Sequence, residues 1–287
     1  MVTRVATPIP EVTTATARAR YVRNRRATRG TFGFVTQFSD PVSRRVSAPT
    51  SPTGRTAVLA HRGASRAERE NTLLAFRFAA EMGADGVELD VRRSADGALI
   101  VHHDPYLADG RVIIETLRSD LPEHVPSLDE ALDACAGMWV NVEIKNDPNE
   151  PDFDPTDRIA ETVVAVLLSR GDPERYLISS FRRETVDAVR RTTSKIPTAW
   201  LTVAVASDEM NEVLDSLVAS GHSAVHPWVG GLVQELVEAC HARSLSVNTW
   251  TCDDPERMDE LHTWKIDAIC TNVPDVALKV LRRDQSV

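Results

Sequence analysis

The chain has 287 residues, a formal net charge of −9 and a hydrophobic fraction of 42%. That suits one large domain with a full core, or two small ones. No apolar run approaches the roughly 18 residues needed to span a bilayer, and the start lacks a secretory h-region, so stable membrane insertion is not expected.

The charge is unevenly spread. Residues 1–56 hold ten Arg against Glu11 and Asp40, a net of +8, which leaves −17 for residues 57–287. The first segment is rich in Thr, Ala and Arg with little apolar periodicity, and it reads as a basic, disordered N-terminal extension. A transit peptide or a tether to an anionic surface would share that composition. However, 29 of the 33 basic residues in the whole chain are Arg, so the bias is global and a plain tail is the favoured reading. The acidity of the remainder argues against nucleic-acid binding. Cys135, Cys240, Cys252 and Cys270 lie far apart with no CxxC spacing. They read as reduced core thiols, neither a zinc site nor a disulfide framework, and this fits a cytoplasmic location.

From residue 57, short β-rich runs alternate with amphipathic helices. The first run, 57–61, ends in His61-Arg62-Gly63, and Glu70-Asn71-Thr72 follows just before a helical pattern. In the second run, 86–91, Glu88 and Asp90 are two apart and share one face, with Val87, Leu89 and Val91 on the other. Too few residues follow for a crossover helix. Asp96-Gly97 favours a two-residue hairpin turn, which makes 99–103 an antiparallel return strand. A loop at Asp96-Gly97 sets His103 opposite Asp90, and a loop at Ala95-Asp96 sets it opposite Glu88. Either register places His103 on the acidic face and turns His102 away.

Ser127-Leu128-Asp129-Glu130 is a capping box, and the helix it opens stops near Gly137. The run 139–145 places Val140, Val142 and Ile144 on one face and Asn141, Glu143 and Lys145 on the other. Further strands are expected at 176–181, 198–205, 223–228, 246–251 and 267–271. Helical stripes lie between them, such as Ile159, Val163, Val166 and Leu167, then Met210, Val213, Leu214 and Leu217, then Val233, Leu236, Val237 and Cys240. Eight strands alternating with helices predict an α/β chain folded as a (β/α)8 TIM barrel, with a β-hairpin extension after the second strand. A doubly wound open sheet is the alternative, but no GxGxxG or GxxxxGK[ST] loop supports it.

In a barrel, chemistry belongs at the carboxyl ends of the strands. The outer face must be apolar to receive helices, so Asn141, Glu143 and Lys145 are expected inside, where lone charges are costly unless paired or metal-bound. Glu88, Asp90 and Glu143 then form an oxygen-only cluster suited to a divalent cation, Mg2+ or Ca2+, rather than zinc. His61, His103, Arg62 and Lys145 surround it. Acids for a metal, cations for an anion and imidazoles for proton transfer point to phosphoryl-transfer chemistry.

With these residues assembled, the chain resembles the glycerophosphodiester phosphodiesterase family. The marks are "HRG" (61–63), "ENT" (70–72), "ELDV" (88–91), "DG…VHHDP" (96–105), "EIK" (143–145), "SSF" (179–181) and "WT" (250–251). They stand in family order over residues 57–282. The resemblance implies a (β/α)8 barrel over 57–287 that hydrolyses a small-molecule glycerophosphodiester to glycerol 3-phosphate and an alcohol such as choline or ethanolamine. It implies His61 and His103 as the catalytic acid/base pair, with Glu88, Asp90 and Glu143 as metal ligands. Arg62 and Lys145 would hold the phosphate, and Glu70 would brace Arg62 or the metal shell. Trp250, and with it Phe181, would wall the glycerol part. Two departures stand out: Arg69 where the family has Pro before Glu-Asn-Thr, and Asn272 where Asp is common. Both are expected to lie outside the proton-transfer and metal core and to bear on substrate fit.

Other readings compete. A phospholipid-directed enzyme of the same barrel, acting on lysophospholipid or phosphatidylinositol-like substrates, would need an apolar rim. A non-catalytic binding barrel would have lost a histidine or an acid, and none is missing. An aldolase- or isomerase-type barrel would want a Schiff-base lysine or a terminal glycine loop for phosphate. Of the remaining residues, His226 reads as packing, His241 as solvated, and loop 146–157 as overhanging the site. The sequence leaves the oligomeric state open.

Overall fold

The structure, a computed structural model, describes residue 48 and residues 55–282. The basic extension expected over residues 1–56 therefore lies almost entirely outside the described residues. Nine strands form one sheet: β1 (Ala57–His61), β2 (Gly86–Arg93), β3 (Leu99–Val101), β4 (Trp139–Ile144), β5 (Tyr176–Ser180), β6 (Thr198–Thr202), β7 (Ala224–Pro227), β8 (Ser246–Thr249) and β9 (Ala268–Thr271). All pairings except β2–β3 are parallel, and β1 pairs with both β2 and β9, so eight strands close into a barrel with β3 as an antiparallel appendage. The helices are α1 (Leu73–Met82), α2 (Leu128–Ala134), α3 (Arg158–Ser169), α4 (Arg183–Thr192), α5 (Met210–Ala219), α6 (Gln234–His241), α7 (Pro255–Thr263) and α8 (Pro274–Leu281).

Side-chain alternation along each strand decides what faces helix and what faces lumen. Val87, Leu89 and Val91 of β2 and Val140, Val142 and Ile144 of β4 point outward into a cluster with Phe76 of α1, Leu132 of α2 and Val163 of α3. A second cluster does the same for β7 to β9 against α5 to α8, with Leu214, Leu236, Met258 and Leu278 buried. Helix boundaries follow their caps. Thr72 accepts from the Ala75 N–H at α1, Ser127 and Glu130 complete the expected box at α2, and Asp254 caps α7.

The lumen is closed at its amino-terminal end by Ala57, Leu59, Trp139, Leu177, Ala199, Ala224 and Ala268. The Trp139 indole fills the space opposite Gly86, where a Cβ would come within 2.7 Å of the ring. Gly86 is thus the absence that lets Trp139 plug the barrel.

The hairpin corrects one expectation. Its loop has three residues, 95–97, with Gly97 at φ 79°, and Ser94 pairs with Ala98 across it. Val91 therefore pairs with Val101 and Arg92 with Ile100, a register midway between the two expected. The strand also ends at Val101, two residues short of His103, so the alternation rule does not reach that residue.

Gly86→Ala is expected to overpack the plug and cost about 1–3 kcal/mol. Combining it with Trp139→Phe should give a loss smaller than the sum of the single losses. Urea denaturation of the four proteins checks both statements.

Candidate active site

The carboxyl ends of the strands surround a cavity of about 130 Å³ lined by His61, Arg62, Glu88, His103, Glu143, Lys145, Phe181 and Trp250, together with Asn141, His226 and Asn248. Eight of the ten residues singled out from sequence thus meet at one mouth. Asp90 adjoins the cavity through Arg62 and Lys145. Glu70 stands on the outer side of Arg62, beside a neighbouring cavity.

The acids are set by register. Asp90 pairs with Glu143 across β2–β4, and His61 pairs with Glu88 across β1–β2. Oxygens of Glu88, Asp90 and Glu143 all lie within 4.8 Å of one another, and all three residues are buried. Burial pushes Glu88 well above the ordinary carboxylate range, and the charges of Asp90 and Glu143 push it further. Burial also raises Glu143, against the pull of Lys145. For Asp90, burial is outweighed by Lys145 and Arg62, which hold it low. Glu88 Oε2 accepts the Arg62 N–H at 3.0 Å, whereas its Oε1 is buried without a partner. Three crowded hard oxygen donors, one of them orphaned, fit a divalent cation.

The cations are fixed by the same acids. Arg62 sits at φ 57° directly after β1, so its guanidinium folds back to lie 3.2 Å from Asp90 Oδ2 and donates to Glu70 Oε1 at 3.0 Å. Lys145 Nζ lies 2.9 Å from Glu143 Oε1 and 3.8 Å from Asp90 Oδ1. Asn71, a residue not singled out from sequence, is buried and donates to Asp90 Oδ2 at 2.8 Å. It also occupies the left-handed region, at φ 55°, which Asn tolerates better than most residues.

The histidines differ in their partners. His61 Nδ1 lies 2.7 Å from Asn272 Oδ1, and the Asn272 amide nitrogen donates to Asp253 at 2.7 Å. That second bond orients the amide, so its oxygen is an acceptor and His61 Nδ1 carries the proton. Nε2 is left as the free lone pair, 4.0 Å from Glu88 Oε2. Burial, with the Arg62 charge, lowers the His61 pKa. Asn272 was expected to stand outside the proton-transfer core. Its bond to His61 corrects that, because Asn272 immediately follows β9 and strand closure brings β9 beside β1.

His103 reaches the cavity from the loop after β3, and its Nδ1 donates to Asp104 Oδ1 at 2.6 Å. Its backbone is held by Arg92, a wholly buried side chain on β2. Arg92 Nε and Nη2 donate to the His103 carbonyl at 2.8 and 2.6 Å, Nη1 forks onto Asp152, and Nη2 also reaches Glu150 Oε1 at 3.0 Å. Loop 146–157 is therefore pinned: Asp152 to Arg92, and Asp157 to Arg182 and Asn146. His102 turns its ring to the Asp104 carbonyl. His241, expected to be solvated, bonds Asp267 at 2.8 Å.

Phe181, 43% exposed, meets Trp250 edge-on at 5.2 Å between ring centres, and the Trp250 indole N–H donates to the His226 carbonyl. These rings form one apolar side of the mouth.

The model of the glycerophosphoryl diester phosphodiesterase family matches residues 61–276. The chain belongs to that family. With membership comes the enzyme class, a phosphoric diester hydrolase. Among its relatives, the glycerophosphodiester phosphodiesterase of Caldanaerobacter subterraneus subsp. tengcongensis is 28% identical over 253 residues, covering 80% of this chain and 99% of that protein. That of Bacillus subtilis is 28% identical over 280 residues, covering 86% and 94%. A glycerophosphodiester phosphodiesterase structure from Thermotoga maritima superposes with a TM-score of 0.67 at 25% identity, covering 78% of this chain and 98% of that one. An Oleispira antarctica phosphodiesterase, solved with the product sn-glycerol-3-phosphate, has a TM-score of 0.70 at 24% identity, covering 79% and 97%. Among the described residues, no helix is long and apolar enough to cross a membrane.

Two outcomes test this family site. Arg92→Met should destabilise the fold by about 3–5 kcal/mol in urea denaturation, because Asp152 would be left buried and unpaired and the half-buried Glu150 would lose its partner. His226 is the second. Burial lowers its pKa to about 3, so below about pH 6.5 the unfolded chain binds a proton that the folded chain refuses. Its stabilising share is present above pH 6.5 and is lost as pH falls toward 3. Between pH 7 and pH 5 the wild type should lose about 2 kcal/mol more than His226→Gln.

Proposed function

We propose that the chain hydrolyses glycerophosphodiesters to glycerol 3-phosphate and an alcohol, with Glu88, Asp90 and Glu143 holding Mg2+ or Ca2+. The observation that carries this reading is the convergence of two imidazoles, two cations and two acids on one cavity, with Asp90 clustered beside them. A bound divalent ion would supply Lewis-acid stabilisation of charge on the phosphate oxygens. Arg62 offers a fork to the non-bridging oxygens, and Lys145 a point charge. His61, protonated at Nδ1 by its bond to Asn272, uses the Nε2 lone pair to take the proton of an attacking water. His103, whose Nδ1 is tied to Asp104, presents Nε2 to give a proton to the departing alkoxide. Glu70 braces the Arg62 guanidinium from its outer side.

A second reading has its own observation. Phe181, Val203, Trp228 and Val233 are each between 43% and 58% exposed on loops that follow β5, β6 and β7. An apolar rim of that kind suits the acyl chain of a lysophospholipid.

The test is an assay of the purified chain on glycerophosphocholine, glycerophosphoethanolamine and lysophosphatidylcholine, with and without EDTA. Turnover of the first two that EDTA abolishes is expected. Hydrolysis of the lysolipid alone would favour the second reading, and indifference to EDTA would remove the metal. His61→Ala and His103→Ala should each lower kcat by about 10²–10⁴-fold. With a p-nitrophenyl diester, whose leaving group needs no proton, the His103→Ala loss should shrink and the His61→Ala loss should persist.

A further inference from the structure

His103 borders two cavities. One is the catalytic cavity. The other, of about 320 Å³, lies on the outer side of Arg62, between the loops that follow β1 and β3 and the segment that leads into α2. Val101, Leu107 and Val125 give this outer cavity an apolar floor, and Arg69, His102 and His124 add basic groups. Its two acids are already engaged. Glu70 accepts from Arg62 with both oxygens, at 3.0 and 3.2 Å, and Asp104 Oδ1 accepts from His103 at 2.6 Å. The basic groups are not engaged in this way. Arg69 is exposed, and among the described residues its guanidinium makes no hydrogen bond or ion pair. The His124 ring likewise has no hydrogen-bond partner among them. His102 Nδ1 donates to the Asp104 carbonyl at 2.8 Å, which leaves its Nε2 open. Burial lowers the His124 pKa, and the charges of Arg69 and then His102 lower it further, as three basic groups on one wall would. The family pattern has Pro at position 69, so this guanidinium is not part of that pattern.

We propose that the outer cavity receives the departing alcohol, and that Arg69, with His124 and His102, selects alcohols carrying a carboxylate or a phosphate. Placement follows from the chemistry at His103. A proton donor must stand within hydrogen-bond reach of the departing oxygen, so the carbon chain on that oxygen lies beside His103. A second cavity beside the mouth, bounded by Asn146, Asp147 and Glu150, is not lined by His103, and its acids would repel an anion. Selection follows from charge. A guanidinium forks onto a carboxylate or phosphate through two charge-assisted hydrogen bonds, and a neutral His124 adds one N–H donor. A quaternary ammonium in the same place would meet Arg69 with like charge and find both acids taken. The apolar floor suits the short carbon chain between the ester oxygen and the anionic group. The inference rests on the proposed phosphodiesterase reading, in which His103 protonates the leaving oxygen, and adds to it which class of alcohol leaves.

The test is steady-state kinetics on the full chain supplied with Mg2+ or Ca2+, using two substrate pairs whose members differ by one anionic group. Glycerophosphoserine is set against glycerophosphoethanolamine, and glycerophosphoinositol 4-phosphate against glycerophosphoinositol. In the wild type kcat/KM should favour the anionic member of each pair by about 10-fold, and the ratio should shrink as salt is raised. Preference within one pair alone supports the proposal and names the anion that is held. Arg69→Ala should bring the ratios to within about twofold of unity, and Arg69→Lys should keep part of them. Each ratio compares two substrates on one protein, so it does not depend on how much of a variant folds. Wild-type ratios at or below one in both pairs would overturn the proposal, and need no variant. So would an Arg69→Ala protein whose ratios are undiminished. Failure of the parent reading looks different: no diester is then turned over, and titration calorimetry with the same pairs decides the inference by itself, equal affinities within both pairs overturning it.

Discussion

Three carboxylates brought within 4.8 Å of one another inside a closed sheet repel strongly, and most of the surrounding architecture answers that repulsion. Arg62 and Lys145 are drawn onto Asp90 and Glu143, Asn71 donates to Asp90, and the Arg62 backbone N–H donates to Glu88. The left-handed turns at Arg62 and Asn71 exist because the chain must double back after β1 to deliver those donors. One Glu88 oxygen still has no partner, so the answer is incomplete within the protein alone. A site balanced this way keeps three acids against two cations and one unpartnered carboxylate oxygen, a deficit that a bound cation would fill.

The same constraint explains why the lumen and the outer wall of the barrel are chemically so different. Outside, Val, Ile and Leu of the strands interlock with the helices in two large clusters that carry the hydrophobic stabilisation. Inside, apolar filling is concentrated around Trp139 at the lower end, and polar side chains join Leu59 and Leu201 in lining the cavity above. The fold can spare its lumen for chemistry because its cohesion resides elsewhere.

Much of this was legible from sequence, for identifiable reasons. Period-two alternation in "ELDV" and "NVEIK" set which side chains enter the lumen, and turn residues bounded the eight barrel strands to within a few positions. The hairpin register was not legible, because Asp96-Gly97 serves a three-residue loop with Gly97 in the left-handed region as readily as a two-residue one. His103 lines the cavity, but not by the expected route: the strand ends before it, and the Arg92 guanidinium sets its backbone. Asn272 was misjudged because its contact with His61 arises only when the last strand closes against the first, a contact across 211 positions of chain. Arg92 lies just past the expected strand 86–91, and nothing in its neighbourhood marked it. The three acceptors that saturate it come from two loops far apart in sequence, and local patterns carry no trace of them.

The Arg92 clamp has a consequence for how such an enzyme can diversify. One guanidinium fastens both the backbone that carries a proposed proton donor and the loop that borders the second cavity beside the mouth. Residues at the tip of that loop, 147–149, are free to be exchanged or lengthened, whereas Glu150 and Asp152 are tied to the reaction centre. The second cavity can therefore be reshaped at the tip without disturbing the centre, whereas any rearrangement that reaches the anchors would move the His103 backbone with it.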